Sequence, residues 1–321
     1  MQNKKIIHVT YELYPENLGG IGVFVFNLIN EMSKKNPKRN FIAVVPVKEK
    51  EFENRFEKDN VSIFFIKDCY ENNKLNLKLF YSKLCVFLNS FNNDETIIHF
   101  HDITLFHLMQ KYKNTVYTFH KDDGISISSS KKIKSCIYFT KVSQKVHFFP
   151  AEKKYVIPNG MKIKKKNALV AYIGRNSVEK GFDKFVNYAE NSKLQNKNIV
   201  IGVKDYVHEK IDSYGVLDTI QVNKELEKID YIFVPSVKEE FGLVILEALN
   251  AGVKVFVQNL KQLKEHFGAF KNVIFIDYTK DNYVKKIDSY IQKDFYVPQE
   301  KLLQFSIEKV AEKYMKVYDE I

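Results

Sequence analysis

Short apolar runs alternate with amphipathic patterns along the whole chain, and this alternation limits the fold more than any other feature. In the first half, the β-branched and aromatic runs cover residues 6–10, 41–46, 61–66, 96–100, 115–119 and 137–142. In the second half they cover residues 168–173, 198–203, 231–234, 253–257 and 273–276, with helical spacing between them, as in residues 183–191 and 241–251. Apolar strands separated by helices indicate parallel sheets that are covered on both faces. We therefore predict an α/β fold with two doubly wound, Rossmann-like domains.

The two series of strands meet at a polar segment. Pro158, Asn159 and Gly160 precede a basic stretch, residues 162–167, that is typical of an interdomain linker. The length of 321 residues also fits two domains of about 150 residues each. We predict one domain over residues 1–158, a second over residues 159–304 and a C-terminal helix over residues 305–321.

Composition excludes several classes of protein. No run of 18 apolar residues predicts a transmembrane helix, and no apolar signal region follows the N-terminus, so we expect a cytoplasmic location. Three scattered cysteines form neither a disulfide framework nor a cysteine zinc site. The net charge of +11 suits nucleic acid, an anionic membrane or a phosphorylated ligand. No nucleic-acid-binding motif is present. A peripheral membrane contact at the inner face of the membrane stays open, with a local basic cluster at Lys131, Lys132 and Lys134.

A glycine-rich loop follows the first predicted strand. Gly19, Gly20 and Gly22 lie where a helix opens, so the backbone can approach a ligand closely and free amides can face an anion. The spacing is not Gly-x-Gly-x-x-Gly, so the fingerprint of dinucleotide-binding enzymes is missing. A tight turn without function is the alternative interpretation.

A second candidate site follows the first strand of the second domain. Arg175 is one of only three arginines in a chain that otherwise uses lysine. Its planar fork can grip phosphate oxygens with two hydrogen bonds, which lysine cannot do. Lys180 could supply a second positive charge. A solvated pair at a strand end is the alternative interpretation.

The third and most specific motif covers residues 236–249, where Glu239 and Glu247 bracket an apolar run. We expect the helix to begin near Phe241, with Glu239 in the preceding loop. Eight residues at helical rise span about 12 Å. That distance resembles the separation of ribose and sugar in a nucleotide diphosphate sugar.

Free amides at the start of this helix, from Gly242 to Val244, would suit the diphosphate. Glu247 lies among leucines and alanines on a helix that we expect to be buried. It therefore needs a partner such as a ribose diol. A capped amphipathic helix with ordinary glutamates is the alternative interpretation.

Histidines follow two strands of the first domain. We expect His99 to be a core histidine, because it alternates within a strand. His101, Asp102 and His120 fall at carboxyl strand ends, where ligands bind in doubly wound sheets. A metal site would need three or four converging ligands, and the sequence does not force one. The chain also lacks the Asp-x-Asp pair that commonly holds a cation against a diphosphate, so we predict no metal and no other cofactor.

These motifs, in this order, resemble the large family four of retaining glycosyltransferases, the glycosyl transferases group 1, which have the GT-B fold. The resemblance extends over nearly the whole chain, and the segment from Glu239 to Glu247 is its most specific part. It implies a cleft between two domains and a C-terminal helix that crosses back to the first domain. The implied catalytic residues are His120, Arg175, Lys180 and Glu239, and the implied donor-binding residues are Gly19, Gly20, Phe241, Gly242, Leu243, Val244 and Glu247.

Within this resemblance, Arg175 and Lys180 would hold the donor diphosphate and stabilise the leaving group. Glu239 would contact the hydroxyls of the donor sugar, and Glu247 would bind the ribose. His120 would face the donor sugar and the reacting centre. The amides around Gly20 would touch the phosphates from the first domain.

The family transfers a sugar with retention of anomeric configuration, usually without a metal. We expect a nucleotide-diphosphate sugar as donor and a glycan or lipid-linked glycan as acceptor, in bacterial surface polysaccharide or lipopolysaccharide assembly. The alternatives are a catalytically silent GT-B subunit and another GT-B enzyme such as a nucleotide-sugar epimerase. Many relatives carry a Gly-Gly pair where this chain has Lys261 and Gln262, which leaves the backbone near the donor sugar open.

Overall fold

Two parallel sheets, each in its own unit, account for the two series of apolar runs. The computed structural model describes residues 4–15, 19–48, 51–120, 127, 129–164 and 166–321. One unit comprises residues 1–163 with residues 302–321, and the other comprises residues 164–301. The boundaries predicted after residues 158 and 304 lie five residues before and three residues after those of the units.

The first unit contains a seven-stranded parallel sheet in the order β3-β2-β1-β6-β7-β8-β9. A separate antiparallel hairpin is formed by β4 and β5. The strands in chain order are β1 (Lys5–Val9), β2 (Phe41–Pro46), β3 (Val61–Ile66), β4 (Tyr70–Glu71), β5 (Lys74–Leu75), β6 (Thr96–Phe100), β7 (Thr115–Phe119), β8 (Ile133–Tyr138) and β9 (Ala151–Val156). The strand order reverses between β1 and β6, which makes their carboxyl ends the switch point where ligands bind in such sheets.

Helices cover both faces of this sheet. They are α1 (Gly20–Lys35), α2 (Leu77–Leu88), α3 (Phe106–Met109) and α4 (Lys141–Val146). One apolar core lies under α1, and a second core, on the other face, lies under α2 and α3. Both faces of the central strands are therefore buried, which explains why their sequences are almost continuously apolar.

The second unit contains a six-stranded parallel sheet in the order β12-β11-β10-β13-β14-β15. Its elements in chain order are β10 (Leu169–Ile173), α5 (Phe182–Asn191), β11 (Lys197–Ile201), β12 (Asp212–Ser213), α6 (Thr219–Leu226), β13 (Tyr231–Val234), α7 (Leu243–Asn250), β14 (Lys254–Gln258), α8 (Lys261–Phe267), β15 (Val273–Ile276), α9 (Tyr283–Ile291) and α10 (Val297–Leu302). The switch point lies between β10 and β13. Cores on the two faces are built from α5 with α9 and from α6, α7 and α8.

The C-terminal helix α11 (Ile307–Asp319) belongs to the first unit and packs on α1. The Ser306 side chain caps it by accepting a hydrogen bond from the backbone N–H of Lys309. Gly160 lies against it so closely that an added Cβ would stand 2.9 Å from a methyl carbon of Val310. The predicted return of this helix to the first domain is confirmed.

The fold prediction of an α/β chain with two doubly wound sheets is confirmed, with local corrections. The strand predicted at residues 137–142 lies at Ile133–Tyr138, because the Thr140 hydroxyl accepts from the backbone N–H of Ser143 and starts α4. The edge strand β9 was not predicted, since its exposed lysines hide the apolar pattern. Among the described residues, no helix has both the length and the apolar character needed to cross a membrane.

Candidate functional site

A cavity of about 440 Å³ opens at the switch point of the second sheet. Its wall is formed by the end of β10, the end of β13 and the loop that leads into α7. The lining residues are Tyr172, Ile173, Gly174, Arg175, Lys180, Phe233, Val234, Pro235, Ser236, Glu239, Glu240, Phe241, Gly242, Leu243 and Val244. Seven of the eleven predicted site residues therefore line one concave surface at the place where doubly wound sheets bind ligands.

Arg175 stands at the rim of this cavity, two residues after β10 ends. The Tyr172 hydroxyl donates a hydrogen bond to the Arg175 carbonyl oxygen at 2.8 Å and so fixes the backbone of the loop. Burial raises the pKa of Tyr172, which keeps that hydroxyl protonated as a donor. The Arg175 side chain itself is exposed, and its guanidinium has no ion-pair partner among the described residues. It is free to bind an anion.

Lys180 and Glu239 pair with each other across the cavity. The Lys180 Nζ lies 2.7 Å from Glu239 Oε2, and both side chains are partly buried. The backbone carbonyl of Glu239 accepts a hydrogen bond from Gln262 Nε2 at 3.0 Å. Gln262 therefore anchors the loop that holds Glu239.

Two glycines shape the loops around the cavity. Gly181 has φ +68°, and a side chain there would overlap the carbonyl group of Pro235, so this close approach of two loops requires glycine. Gly242 has φ +76° and ends the loop before α7. The amide groups of Leu243 and Val244 find no backbone acceptor within the described part of the chain. These amides face outward at the positive end of α7.

Two predictions about the helix from residue 241 are wrong. The helix begins at Leu243 because Gly242 has a left-handed backbone, so helical rise applies only from Leu243 to Glu247, about 6 Å. Glu247 is exposed, and it is absent from the wall of the cavity. The argument that a buried Glu247 needs a partner therefore fails, and its contact with a ribose stays a prediction.

The first unit places the other predicted residues at the switch point of its own sheet. Gly19 precedes α1 and Gly20 begins it, without a side-chain cap. A Cβ on Gly19 would overlap the carboxylate of Glu12, whereas Gly20 has open space. An acidic group therefore already stands beside the helix start that we expected to face phosphate.

His120 follows β7, and its ring lies against those of Phe24 and Phe139 at centroid distances of 5.7 and 5.3 Å. Its Nε2 atom lies 2.9 Å from Nδ1 of His101. Burial lowers the pKa of His120 to about 3, so the ring is neutral at physiological pH. Asp102, in contrast, accepts hydrogen bonds from the amide and hydroxyl of Thr104 and serves as a local cap.

Behind His120 lies a row of buried histidines on one face of the sheet. His8 and His99 stand opposite each other on β1 and β6, and His101 shares the face of His99 because it is two residues further along. His8 Nδ1 lies 3.0 Å from His101 Nε2. The two nitrogens of His99 bond to the hydroxyls of Tyr318 and Thr118 at 2.6 and 2.8 Å. The core-histidine prediction for His99 is confirmed.

This row could hold a metal ion only at the cost of its own hydrogen bonds. Ligand nitrogens of His8, His99 and His101 lie within 4.8 Å of one another. Both nitrogens of His99 and both of His101 already have partners at hydrogen-bond distance. Neutral imidazoles suit a cation, but at least two of these bonds, one of His99 and one of His101, would have to open before a metal could bind.

Sequence reasoning missed three residues of these sites: His8, Glu12 and Gln262. The signal for His8 was present in part, because His-x-His at residues 99–101 and Thr-x-His at residues 118–120 each place polar groups on one strand face. That β1 lies beside β6, which brings His8 into the row, is a property of the topology. Glu12 and Gln262 act through loops whose paths no local pattern predicts.

The predicted resemblance to the glycosyl transferases group 1 is confirmed for residues 153–306, which match the model of the family described as "Glycosyl transferases group 1". That segment contains the whole wall of the cavity.

Two curated relatives come from Klebsiella pneumoniae. An uncharacterized 42.6 kDa protein in the cps region is 28% identical over 185 residues, which cover 53% of this chain and 48% of the relative. An uncharacterized 41.2 kDa protein in the cps region is 30% identical over 115 residues, which cover 33% of this chain and 32% of the relative. The chain therefore spans less than half the length of each curated relative that it matches.

Solved structures that are similar along the chain have low sequence identity. The sucrose-phosphate synthase of Thermosynechococcus elongatus is 14% identical, with 99% of this chain and 98% of that chain covered and a TM-score of 0.46. The Anabaena protein HepE in complex with UDP and glucose is 15% identical, with 99% and 100% covered and a TM-score of 0.40. No conclusion about activity follows from likenesses at this level.

Proposed function

We propose that this protein is a glycosyltransferase that moves a sugar from a nucleotide-diphosphate sugar to a glycan or a lipid-linked glycan. One observation carries the proposal: the segment that matches the glycosyl transferases group 1 contains a cavity at a switch point, lined by an unpaired arginine. The arginine, the Lys180–Glu239 pair and the free amides of α7 offer the groups that a donor needs.

Departure of a nucleoside diphosphate leaves negative charge on the phosphate oxygens. The Arg175 guanidinium can meet two of these oxygens at once, and the amides of Leu243 and Val244 add the positive end of a helix. Lys180 pairs with Glu239 and can also bind an incoming phosphate. When Lys180 turns to the phosphate of a bound donor, Glu239 becomes free to accept hydrogen bonds from sugar hydroxyls. Loss of one such charge contact commonly costs a factor on the order of 10²–10³ in rate.

We propose that transfer proceeds with retention and without a metal. Support comes from the lack of an Asp-x-Asp pair and from the cationic groups that could neutralise the diphosphate in its place. Turnover should persist in excess EDTA. Loss of turnover on chelation, restored by Mn²⁺, would contradict a metal-free reaction.

Assembly of bacterial surface polysaccharide or lipopolysaccharide is the setting that we propose, supported by the cps-region relatives. The acceptor would then be a glycan at a membrane surface. In the first unit, α4 carries Val142 and Val146, which are 70% and 63% exposed and directly follow Lys141 and Lys145. An exposed apolar pair flanked by lysines fits the surface of an anionic bilayer. The basic cluster at Lys131, Lys132 and Lys134 would add to this contact, although Lys134 already pairs with Glu152 at 2.8 Å.

Vesicle flotation tests this contact. The chain should float with vesicles of phosphatidylglycerol and not with those of phosphatidylcholine, and Val142→Ser with Val146→Ser should weaken the binding. Val86→Ser is the matched control, because Val86 is a similarly exposed valine on α2. An equal effect of the control would contradict a specific contact at α4.

The donor site is tested by calorimetry and thermal shift with UDP, GDP, ADP, CMP and their sugar conjugates, with NAD as a negative control. A ligand at 100 times its dissociation constant should add about 2.7 kcal/mol to stability. Arg175→Ala should abolish the shift and lower turnover about 100-fold or more. Arg55→Ala is the matched control, since Arg55 is also exposed but lies in the first unit, in the segment before β3. No binding of any nucleotide by the wild type would favour a catalytically silent subunit.

A further inference from the structure

Three imidazoles form a continuous hydrogen-bonded chain that begins in the interior of the first unit and ends at His120. His8 Nδ1 lies 3.0 Å from His101 Nε2, and His101 Nδ1 lies 2.9 Å from His120 Nε2. His8 and His101 are almost completely buried. His120 is more accessible, and its Nδ1 has no partner within the described residues, so the chain has one inner end and one outer end.

All three rings are neutral, because burial lowers each pKa well below the ordinary value for histidine. A neutral imidazole has one N–H and one bare nitrogen. Since both nitrogens of His101 are used, it must donate one bond and accept the other. The two bonds therefore run in the same direction along the chain.

Only two proton arrangements satisfy this rule. In the outward arrangement, His8 donates to His101 and His101 donates to His120, so the N–H of His120 is on Nδ1. In the inward arrangement, His120 donates from Nε2, its Nδ1 is bare, and the chain ends with an N–H on His8 Nε2. The two arrangements offer opposite groups at the outer end: a hydrogen-bond donor or a hydrogen-bond acceptor.

The inner end selects between them. His8 Nε2 is buried and has no hydrogen-bond partner among the described residues. The inward arrangement would bury an unsatisfied N–H there, whereas the outward arrangement buries an unsatisfied lone pair. Orphaned buried N–H groups are the rarer of the two in proteins. The outward arrangement is therefore favoured.

We propose that His8 and His101 are positioning residues that hold His120 as the Nδ1–H tautomer, so that His120 presents a hydrogen-bond donor to a sugar oxygen. This inference rests on the proposed function for the identity of the hydrogen-bond acceptor, which is a hydroxyl oxygen of a sugar substrate. Because His8 Nε2 has no partner among the described residues, the hydrogen-bonded row ends there and cannot pass a proton onward. His120 is therefore a neutral donor and not a general base.

Phe24 and Phe139 both pack edge-on against the ring and against each other, and their planes make angles of 67° and 76° with that of His120. The ring can thus neither turn nor swap its two nitrogens without opening the bond to His101. Packing fixes the orientation, and the bond to His101 fixes which nitrogen carries the proton. These are the two conditions for a preorganised donor.

Nitrogen NMR of the full chain, labelled with ¹⁵N-histidine, tests the tautomer without any substrate. Long-range ¹H–¹⁵N correlations separate protonated from bare ring nitrogens, and His120→Gln identifies the signals of His120. At pH 7 we expect a protonated Nδ1 and a bare Nε2. A bare Nδ1, or a ring protonated on both nitrogens, would overturn the inference.

A matched pair of variants tests the role of His8. Asparagine can place an amide N–H close to the position of Nδ1, so His8→Asn should keep the Nδ1–H tautomer of His120. His8→Asp replaces the donor with an acceptor that can take a bond from His101 Nε2–H, which should reverse both bonds of the chain. We therefore expect His120 to gain an Nε2–H population and kcat to fall on the order of 10-fold with little change in KM. An unchanged His120 tautomer in His8→Asp would overturn the inference. If His8→Asp does not fold, the wild-type and His8→Asn spectra still decide.

The failure of this inference can be told apart from the failure of the proposed function. A wild-type protein that binds and turns over a nucleotide sugar, but has a bare His120 Nδ1, refutes only the inference. A wild-type protein that binds no nucleotide refutes the proposed function, even if His120 has the expected tautomer.

Discussion

The buried histidines of the first unit predict a steep loss of stability in weak acid. Burial lowers the pKa of His8 to about 3 and moves those of His99 and His101 well below 6.5. In the unfolded chain these groups regain a pKa of about 6.5. Between the two values the unfolded state binds more protons, so stability rises with pH. The stability is therefore complete above about pH 6.5 and is lost as the pH falls below it.

The magnitude follows from the shifts. For His8 alone, a fall from pH 6.5 to pH 5.0 costs about 2 kcal/mol, because each pH unit inside the window is worth about 1.36 kcal/mol. His120, whose pKa burial also lowers to about 3, adds a similar slope, so the two groups together give about 2.7 kcal/mol per pH unit below pH 6, and His99 and His101 act in the same direction. Domains are stable by about 5–15 kcal/mol, so a fall of two pH units should remove a large share of the stability of the first unit.

Urea unfolding at pH 7.5, 6.5, 5.5 and 5.0, followed by hydrogen exchange and mass spectrometry, measures this slope. Peptides from β1, β6 and β7 report the first unit, and peptides from β10 and β13 provide an internal comparison. His99→Gln should lower the slope, since one titrating group is lost. A free energy of unfolding for the first unit that stays level from pH 7.5 to 5.0 would refute the reasoning.

Three further changes have defined outcomes. Gly181→Ala should destabilise the second unit by about 1–3 kcal/mol more than Gly215→Ala in urea unfolding. Both glycines have positive φ, but only Gly181 lies against another loop. Equal losses of stability in the two variants would contradict the overlap with the loop after β13. Val310→Ala should lower the free energy of unfolding by about 2 kcal/mol and lower the thermal midpoint, because it opens a gap between α11 and Gly160. Lys313 is exposed on the same helix, so Lys313→Ala should leave stability unchanged. An unchanged stability of Val310→Ala would contradict tight packing at Gly160. Gln262→Leu should weaken the binding of the nucleotide sugar in calorimetry without changing the thermal midpoint, since it frees the backbone of Glu239, which we expect to contact the sugar. An unchanged affinity would show that the hydrogen bond from Gln262 is not needed for binding.

Local pattern was sufficient for most of the strands. Runs such as residues 41–46 and 231–234 begin and end where the sequence places them, because a strand buried on both faces has apolar residues throughout. The errors occur where another local signal competes. The Thr140 cap replaces the end of a predicted strand with α4, and the left-handed Gly242 delays α7 by two residues. Capping and glycine conformation are local effects, so a closer study of these positions could have corrected both.

The residues of the candidate site likewise fall into those that a local pattern predicts and those that it misplaces. Arg175, Lys180 and Glu239 could be predicted because each lies in the loop that follows a strand, and parallel strands bring their carboxyl ends to one edge. Glu247 was misjudged because burial was inferred from its apolar neighbours in sequence, while the helix exposes that position. Helical neighbours three and four residues away decide the environment of a side chain, and the adjacent residues do not.

The histidine row could not be derived from sequence, because its members come from three strands and its covering hydroxyl groups come from the far end of the chain. In α11, the hydroxyl of Tyr314 lies 3.2 Å from that of Thr118, and the hydroxyl of Tyr318 lies 2.6 Å from Nδ1 of His99. A buried polar row is tolerated only if its members find partners, and here the last helix supplies two of them. The C-terminal helix thus contributes to the chemistry of the first unit as well as to its packing. Any change in α11 that removes these hydroxyls should alter the histidines before it alters the sheet.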